Sequence, residues 1–179
     1  MDAIECMLTR RSVRKFTEDP LPQEDLDKIL EAVRYSPSWV NSQCWELIVV
    51  RDQGQKQKLQ ETVPNNNPAR KGLVQAPVVI AVCARLGVSG GKQGAWMSEY
   101  GDWYMFDAGI AAQNLCLAAW ALGYGTVHVG WLDHKAGAKV LDLPDDVKLL
   151  ELIPVGRPAK EPKTPKRREF SDFVHQEKF

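Results

Sequence analysis

The longest helical candidate in the chain, from about Trp103 to Leu122, constrains the fold most. Its small residues (Ala108, Gly109, Ala111, Ala112, Ala118 and Ala119) spread around the cylinder and do not keep to one stripe. A helix so weakly amphipathic is covered on most sides, by a core or by another subunit. The remaining elements must therefore wrap it, and Gly123 and Gly125 mark where it stops.

Those elements can be placed from periodicity. Val78–Cys83 is an apolar, β-branched run and reads as a buried strand. Leu47–Val50, Val127–Trp131 and Leu149–Val155 read the same way, the last broken late by Pro154. Asp2 can cap a short helix reaching about Leu8. Leu26, Ile29, Leu30 and Val33 have helical spacing, and that helix should stop near Ser36 because Pro37 disfavours helical geometry before it. Short helices are predicted at Gln55–Thr62 and Lys135–Leu141, and loops at 37–45 and Asn65–Pro68. The glycine-rich stretch from Leu86 to Gly94 precedes a crowd of aromatics: Trp96, Tyr100, Trp103, Tyr104 and Phe106. Strands separated by helices without clean βαβ alternation indicate an α/β or α+β sandwich. No Gly-x-Gly-x-x-Gly follows the first strand and no Walker motif occurs, which argues against a Rossmann fold or a P-loop.

Charge narrows the function. The 179 residues carry no formal net charge, so no global field favours nucleic acid or an acidic membrane. The basic residues nevertheless gather at Arg10–Lys15 and at Arg157–Arg168, a distribution suited to a small anion. If Arg10-Arg11-Ser12-Val13-Arg14-Lys15-Phe16 is extended, Arg10, Ser12 and Arg14 share one side. Two guanidinium forks and a hydroxyl in a row suit a phosphate; the plain alternative is a solvated basic linker. No apolar run is long enough to span a bilayer. Four scattered cysteines, without Cys-x-x-Cys or His-x-x-x-His spacing, indicate neither zinc nor a disulfide framework, and fit reduced thiols in the cytoplasm.

Taken together, the motifs resemble the FMN-dependent nitroreductase family. The resemblance lies in Arg10–Phe16; in Pro37-Ser38-Trp39-Val40-Asn41-Ser42-Gln43-Cys44-Trp45 before a strand; in Asp107–Leu115 running into Gly123-Tyr124-Gly125-Thr126; and in Pro165-Lys166-Arg167-Arg168. It implies an α+β, three-layer α/β/α fold with a mixed, mostly antiparallel central sheet, in an intertwined homodimer. Residues 1–156 would form the FMN-binding domain, and residues 157–179 an extension wrapping the partner. The implied cofactor contacts are Arg10, Arg11, Ser12, Arg14, Pro37, Ser38, Asn41, Gln43, Val129, Gly130, Lys166 and Arg168. Among them Arg10, Ser12, Lys166 and Arg168 would hold the ribityl phosphate, and Arg14 would sit beside N1 and O2 of the ring. Ser38, Asn41 and Gln43 would bond the ring edge and ribityl chain, and the Val129–Gly130 backbone would lie near N5.

The implied activity is hydride transfer from NADH or NADPH through the flavin to a nitroaromatic, quinone or enone, with the flavin carrying the chemistry and no metal. The chain departs from the family pattern at Cys44, where proline is common, and in Val127–Trp131. Its lid would be short, built from Gly87–Tyr104. Other readings stay open: a specialised member acting by reductive dehalogenation or flavin-dependent dehydrogenation, or an FMN-binding protein without turnover. His128 and Cys44 are read as a satisfied core histidine and an unactivated thiol, and the aromatics as core or interface.

Overall fold

A computed structural model of the chain describes residues 1–92 and 95–179. Its centre is β2 (Val78–Arg85), flanked by β1 (Trp45–Val50) and β6 (Val147–Gly156), with β5 (Gly125–Thr126) beyond β6. All three pairings are antiparallel. Alternate residues of β2 serve opposite layers, as the strand period requires. Val78, Ile80, Val82 and Ala84 pack with α2 (Gln23–Arg34) and α5 (Tyr104–Ala121). Val79, Ala81 and Cys83 pack with Leu59 of α3 (Gln53–Glu61), Leu73 of α4 (Gly72–Gln75) and Val140 of α6 (His134–Val140). Helices on both faces bury β2 throughout, which is why it reads as a continuous apolar run. The result is the three-layer α+β sandwich that the sequence led us to expect.

Asp2 caps α1 (Ala3–Thr9), its carboxylate accepting from the Glu5 N–H at 2.8 Å. α2 ends at Arg34, two residues before the predicted stop. α5 is the 18-residue axis of the molecule and buries Ala108, Ala111, Ala112, Leu115, Cys116 and Ala119. It is not covered all round: Met105 is 60% and Phe106 59% exposed, and Gly109 shares their face. A small hairpin pairs β3 (Gly91–Lys92) with β4 (Ala95–Trp96) inside the expected lid, of which residues 93 and 94 lie outside the described residues.

One predicted strand is corrected. Val127–Trp131 does not form a continuous strand; only Gly125–Thr126 and a single bridge from Val129 to Leu152 pair with β6. In that register Val127 faces Pro154, at the alternate position from the hydrogen-bonded pair Val129–Leu152. Proline has no N–H to give, so the ladder is interrupted there.

Candidate functional site

The basic segment at residues 10–16 is extended along the open edge of the sheet. Ser12 bridges Thr126 in parallel and Phe16 bridges Pro158. The Val13 N–H donates to the Thr126 carbonyl at 2.9 Å, and the Ala159 N–H to the Lys15 carbonyl at 3.0 Å. Val13 and Phe16 are buried with Ala76 and drive this docking, while Arg14 is left exposed. The approach is close enough that a Cβ on Gly125 would lie 2.5 Å from Val13 Cγ2.

The arginines of the segment differ in what they have left to offer. Arg11 is committed: Nη1 donates to the carbonyls of Leu8 (2.7 Å) and Arg10 (2.8 Å), while Nε and Nη2 donate to Thr164 Oγ1 at 3.3 Å. It pins the tail to α1, a role the sequence did not suggest. Arg10 Nη1 and Thr126 Oγ1, by contrast, are buried with no hydrogen-bond partner. A buried guanidinium N–H with no partner among the described residues is suited to an anionic ligand. Thr164 also brings Lys166 near, since two residues span at most about 7 Å. Arg168 is turned elsewhere, toward the Asp172 carbonyl and the Phe173 ring.

The loop at residues 37–44 is held in a strained shape. Val40, Asn41 and Gln43 have φ of 47°, 56° and 47°, a left-handed backbone that is costly for β-branched Val40 above all. Ser38 Oγ accepts from the Gln43 N–H at 2.9 Å, and Pro37, Asn41 and Gln43 present their side chains outward. The loop is anchored by Asp107, which is 2% exposed in the first turn of α5. Its carboxylate accepts from the Trp39 N–H (3.1 Å to each oxygen), Ser42 Oγ (3.2 Å) and Ser89 Oγ (2.6 Å). Sequence reading quoted Asp107 without giving it a task; its place on the apolar helix face was the available signal. Cys44 is buried beside it, and burial, then the Asp107 charge, pushes its thiol up to about 11.

Val129 and Gly130 divide the expected backbone role. Val129 exchanges both backbone bonds with Leu152, at 3.0 and 3.1 Å, so its N–H is not free to donate to a ligand. Gly130 is exposed, with open space where a Cβ would project. It lines a cavity of about 400 Å³ with Val82, Met105, Ala108, His128 and Glu151. His128 is satisfied as expected, though at this cavity's edge and not inside the core. Nε2 lies 3.4 Å from Cys116 Sγ and Nδ1 2.9 Å from Glu151 Oε2; these two bonds, Cys116 first, raise its pKa from 6.5 to about 10. Sequence reading missed the 67–72 segment, which reaches the same edge. Asn67 Nδ2 donates to the Trp131 carbonyl at 3.3 Å, and a Cβ on Gly72 would lie 3.0 Å from the Arg14 carbonyl.

The two parts of the expected site lie at opposite ends of α5. Thr9, next to Arg10, accepts from Trp120 Nε1 at 3.0 Å, whereas the 37–44 loop is tied to Asp107. At about 1.5 Å per residue those anchors are about 20 Å apart along the axis.

A sheet covered on both faces, with a basic edge segment and a strained polar loop, is the framework of a ligand-binding α+β enzyme fold. The chain belongs to the nitroreductase family, whose model matches residues 7–157. It is 35% identical to a Methanothermobacter thermautotrophicus protein provisionally named as an NADH dehydrogenase or NAD(P)H nitroreductase, over 100% of this chain and 88% of that one. It is 30% identical to the FMN reductase [NAD(P)H] of Bacillus subtilis, over 92% of this chain and 70% of the relative. The crystal structure of a nitroreductase family protein from Clostridium difficile superposes with a TM-score of 0.83 at 25% identity, covering 100% of each chain.

Proposed function

We propose that the protein is an FMN-dependent NAD(P)H oxidoreductase, active as a homodimer, whose acceptor is a flat conjugated molecule such as a nitroaromatic, quinone or enone. The observation that carries the cofactor is the buried, unpartnered Arg10 Nη1, with Thr126 Oγ1 orphaned beside the Ser12 bridge. A phosphate dianion beside the segment would give the Arg10 guanidinium the acceptor it lacks. The chemistry FMN supplies when bound is two-electron transfer from NADH or NADPH to the acceptor.

The chain's residues provide the rest. Arg10, Ser12, Thr126 and Lys166 hold the phosphate end. The exposed Arg14 guanidinium, whose Nη1 makes only a long 3.5 Å bond to the Ser12 carbonyl, offsets negative charge that builds on the reduced ring. Gly130, lacking a side chain, lets a flat ring approach the backbone. Ser38, Asn41 and Gln43 contact the ring from the second subunit, because α5 separates them from Arg10 within one chain. The apolar face of Met105, Phe106 and Gly109 is where the two copies meet, and residues 157–179 form an extension that reaches over the partner. A cytoplasmic setting suits four unpaired, buried cysteines, and no helix among the described residues is long and apolar enough to cross a membrane.

The test is an anaerobic absorbance titration of FMN-reconstituted protein with NADH and then NADPH, repeated on Arg10→Ala. Bound flavin that bleaches and recovers with an added acceptor is expected for the native chain, and Arg10→Ala is expected to lose FMN on desalting. Unchanged FMN affinity in Arg10→Ala would overturn the phosphate assignment. Flavin that binds but ignores both nicotinamides would favour the non-catalytic binding protein, or a specialised enzyme reduced in another way.

A further inference from the structure

We propose that Asp107 is a positioning residue that couples the 38–44 loop to Ser89–Gly90 and the residues 101–103 packed on them, so that the two flanks of the ring site keep their shape together. This rests on the reading that the loop contacts a flavin ring. Three N–H and O–H donors converge on one buried carboxylate from two places remote in sequence, the Trp39 N–H and Ser42 hydroxyl from the loop and the Ser89 hydroxyl from the other segment, and the Cys44 thiol is a fourth, weak donor at 3.9 Å. Ser89 itself is fully buried, and its carbonyl accepts from the Trp103 N–H at 3.3 Å.

Both segments need holding. The loop carries three left-handed non-glycine residues. On the other side Gly90 has φ of 85°, and a Cβ there would lie 2.3 Å from the Gly101 carbonyl oxygen, so this backbone is pressed onto residues 101–103. The rings of Trp39 and Trp103, one from each side, sit with centroids 4.9 Å apart. A carboxylate suits the junction because it is all acceptor and can serve every donor at once. Its position in the first turn of α5 favours negative charge, whereas a buried carboxylate stripped of donors is costly. The donors therefore support one another: loss of the Ser89 hydroxyl frees the Asp107 carboxylate to turn away from the Trp39 N–H and the Ser42 hydroxyl, and loosens the loop.

Hydroxyl deletions on the two sides test this. In the flavin-free protein Ser89→Ala is expected to speed hydrogen exchange at the Trp39 N–H about tenfold, although Ser89 belongs to the other segment. With FMN, Ser89→Ala and Ser42→Ala are each expected to weaken binding about tenfold, and the double variant by much less than the product of the two. A purely structural plug would lower thermal stability while the two effects on FMN affinity multiplied. Full multiplicativity, unchanged Trp39 exchange, or native FMN affinity in Ser89→Ala would each overturn the coupling. Failure of the native chain to bind FMN would instead overturn the cofactor reading, with the exchange result standing on its own. Asp107→Ala is the more drastic variant; should it not fold, the two serine variants carry the test.

Discussion

Replacing Gly125 by alanine tests how the basic segment at residues 10–16 is seated. The added Cβ would lie 2.5, 2.6 and 2.9 Å from Cγ2, Cβ and Cγ1 of Val13. Comfortable carbon contacts are about 3.5–4.0 Å, so three atoms overlap by about 1 Å. Val13 cannot swing aside, being β-branched and buried with Phe16 and Ala76. Overpacking of this kind costs about 1–3 kcal/mol. The Val13 N–H bond to Thr126 would be strained as well, at about 0.5–1.5 kcal/mol. A total loss of about 2–4 kcal/mol is expected, read as a lower urea midpoint at unchanged slope. Because Ser12 bridges Thr126, the displacement also moves Ser12 relative to the orphaned hydroxyl, and FMN affinity is expected to fall about tenfold or more, a change of about 1.4 kcal/mol. Flavin fluorescence quenching measures it. Val13→Ala in the same chain should restore only part of the stability, because the Cβ contact at 2.6 Å persists. Native-like stability and affinity in Gly125→Ala would show that the segment is not seated by this contact.

Three further outcomes can be stated. The folded-state pKa of His128 is raised from 6.5 to about 10, so its contribution to stability is complete below about pH 6.5 and is lost as pH rises through 10. With 35% of the side chain exposed, solvent screening reduces that contribution to about 1 kcal/mol or less. Urea midpoints measured from pH 6 to 10 should converge for the native chain and Glu151→Gln at the alkaline end; parallel profiles would exclude the pairing. The four cysteines are buried, with Cys44 raised to about 11 and Cys83 to about 12, chiefly by burial, so iodoacetamide at mild alkaline pH should label none before denaturation. Rapid native labelling of Cys44 would contradict its placement. Deleting residues 165–179 removes Lys166 and the aromatic tail, and should weaken both FMN retention and self-association in sedimentation; a fully retained, FMN-loaded dimer would leave the tail without the proposed role.

The elements that were legible in the sequence are those whose cause is local. The continuous apolar run at Val78–Cys83, the helical spacing of Leu26 to Val33 and the small-residue composition after Tyr104 are each patterns that the chain itself carries. Arg10–Phe16 was legible for the same reason, since an extended run must sort Arg10, Ser12 and Arg14 from Val13. What could not be read locally depended on a partner distant in sequence. Pro154 splits a strand that it is not part of, because the missing N–H belongs to the neighbouring ladder. Val129 loses its free N–H to Leu152, and Arg11 loses its donors to Leu8, Arg10 and Thr164.

The sequence by itself thus determined the main helices, the buried strand Val78–Cys83 and which segment bears the cationic face, because side-chain period and charge are properties of adjacent residues. Only the tertiary structure decided which polar atoms remain unsatisfied. It left Arg10 Nη1, Trp39 Nε1 and Thr126 Oγ1 without partners among the described residues, gathered the Trp39, Ser42, Ser89 and Cys44 donors on Asp107, and set the two parts of the expected site about 20 Å apart on one helix. Burial and hydrogen-bond satisfaction are settled among groups that meet only when the chain has packed.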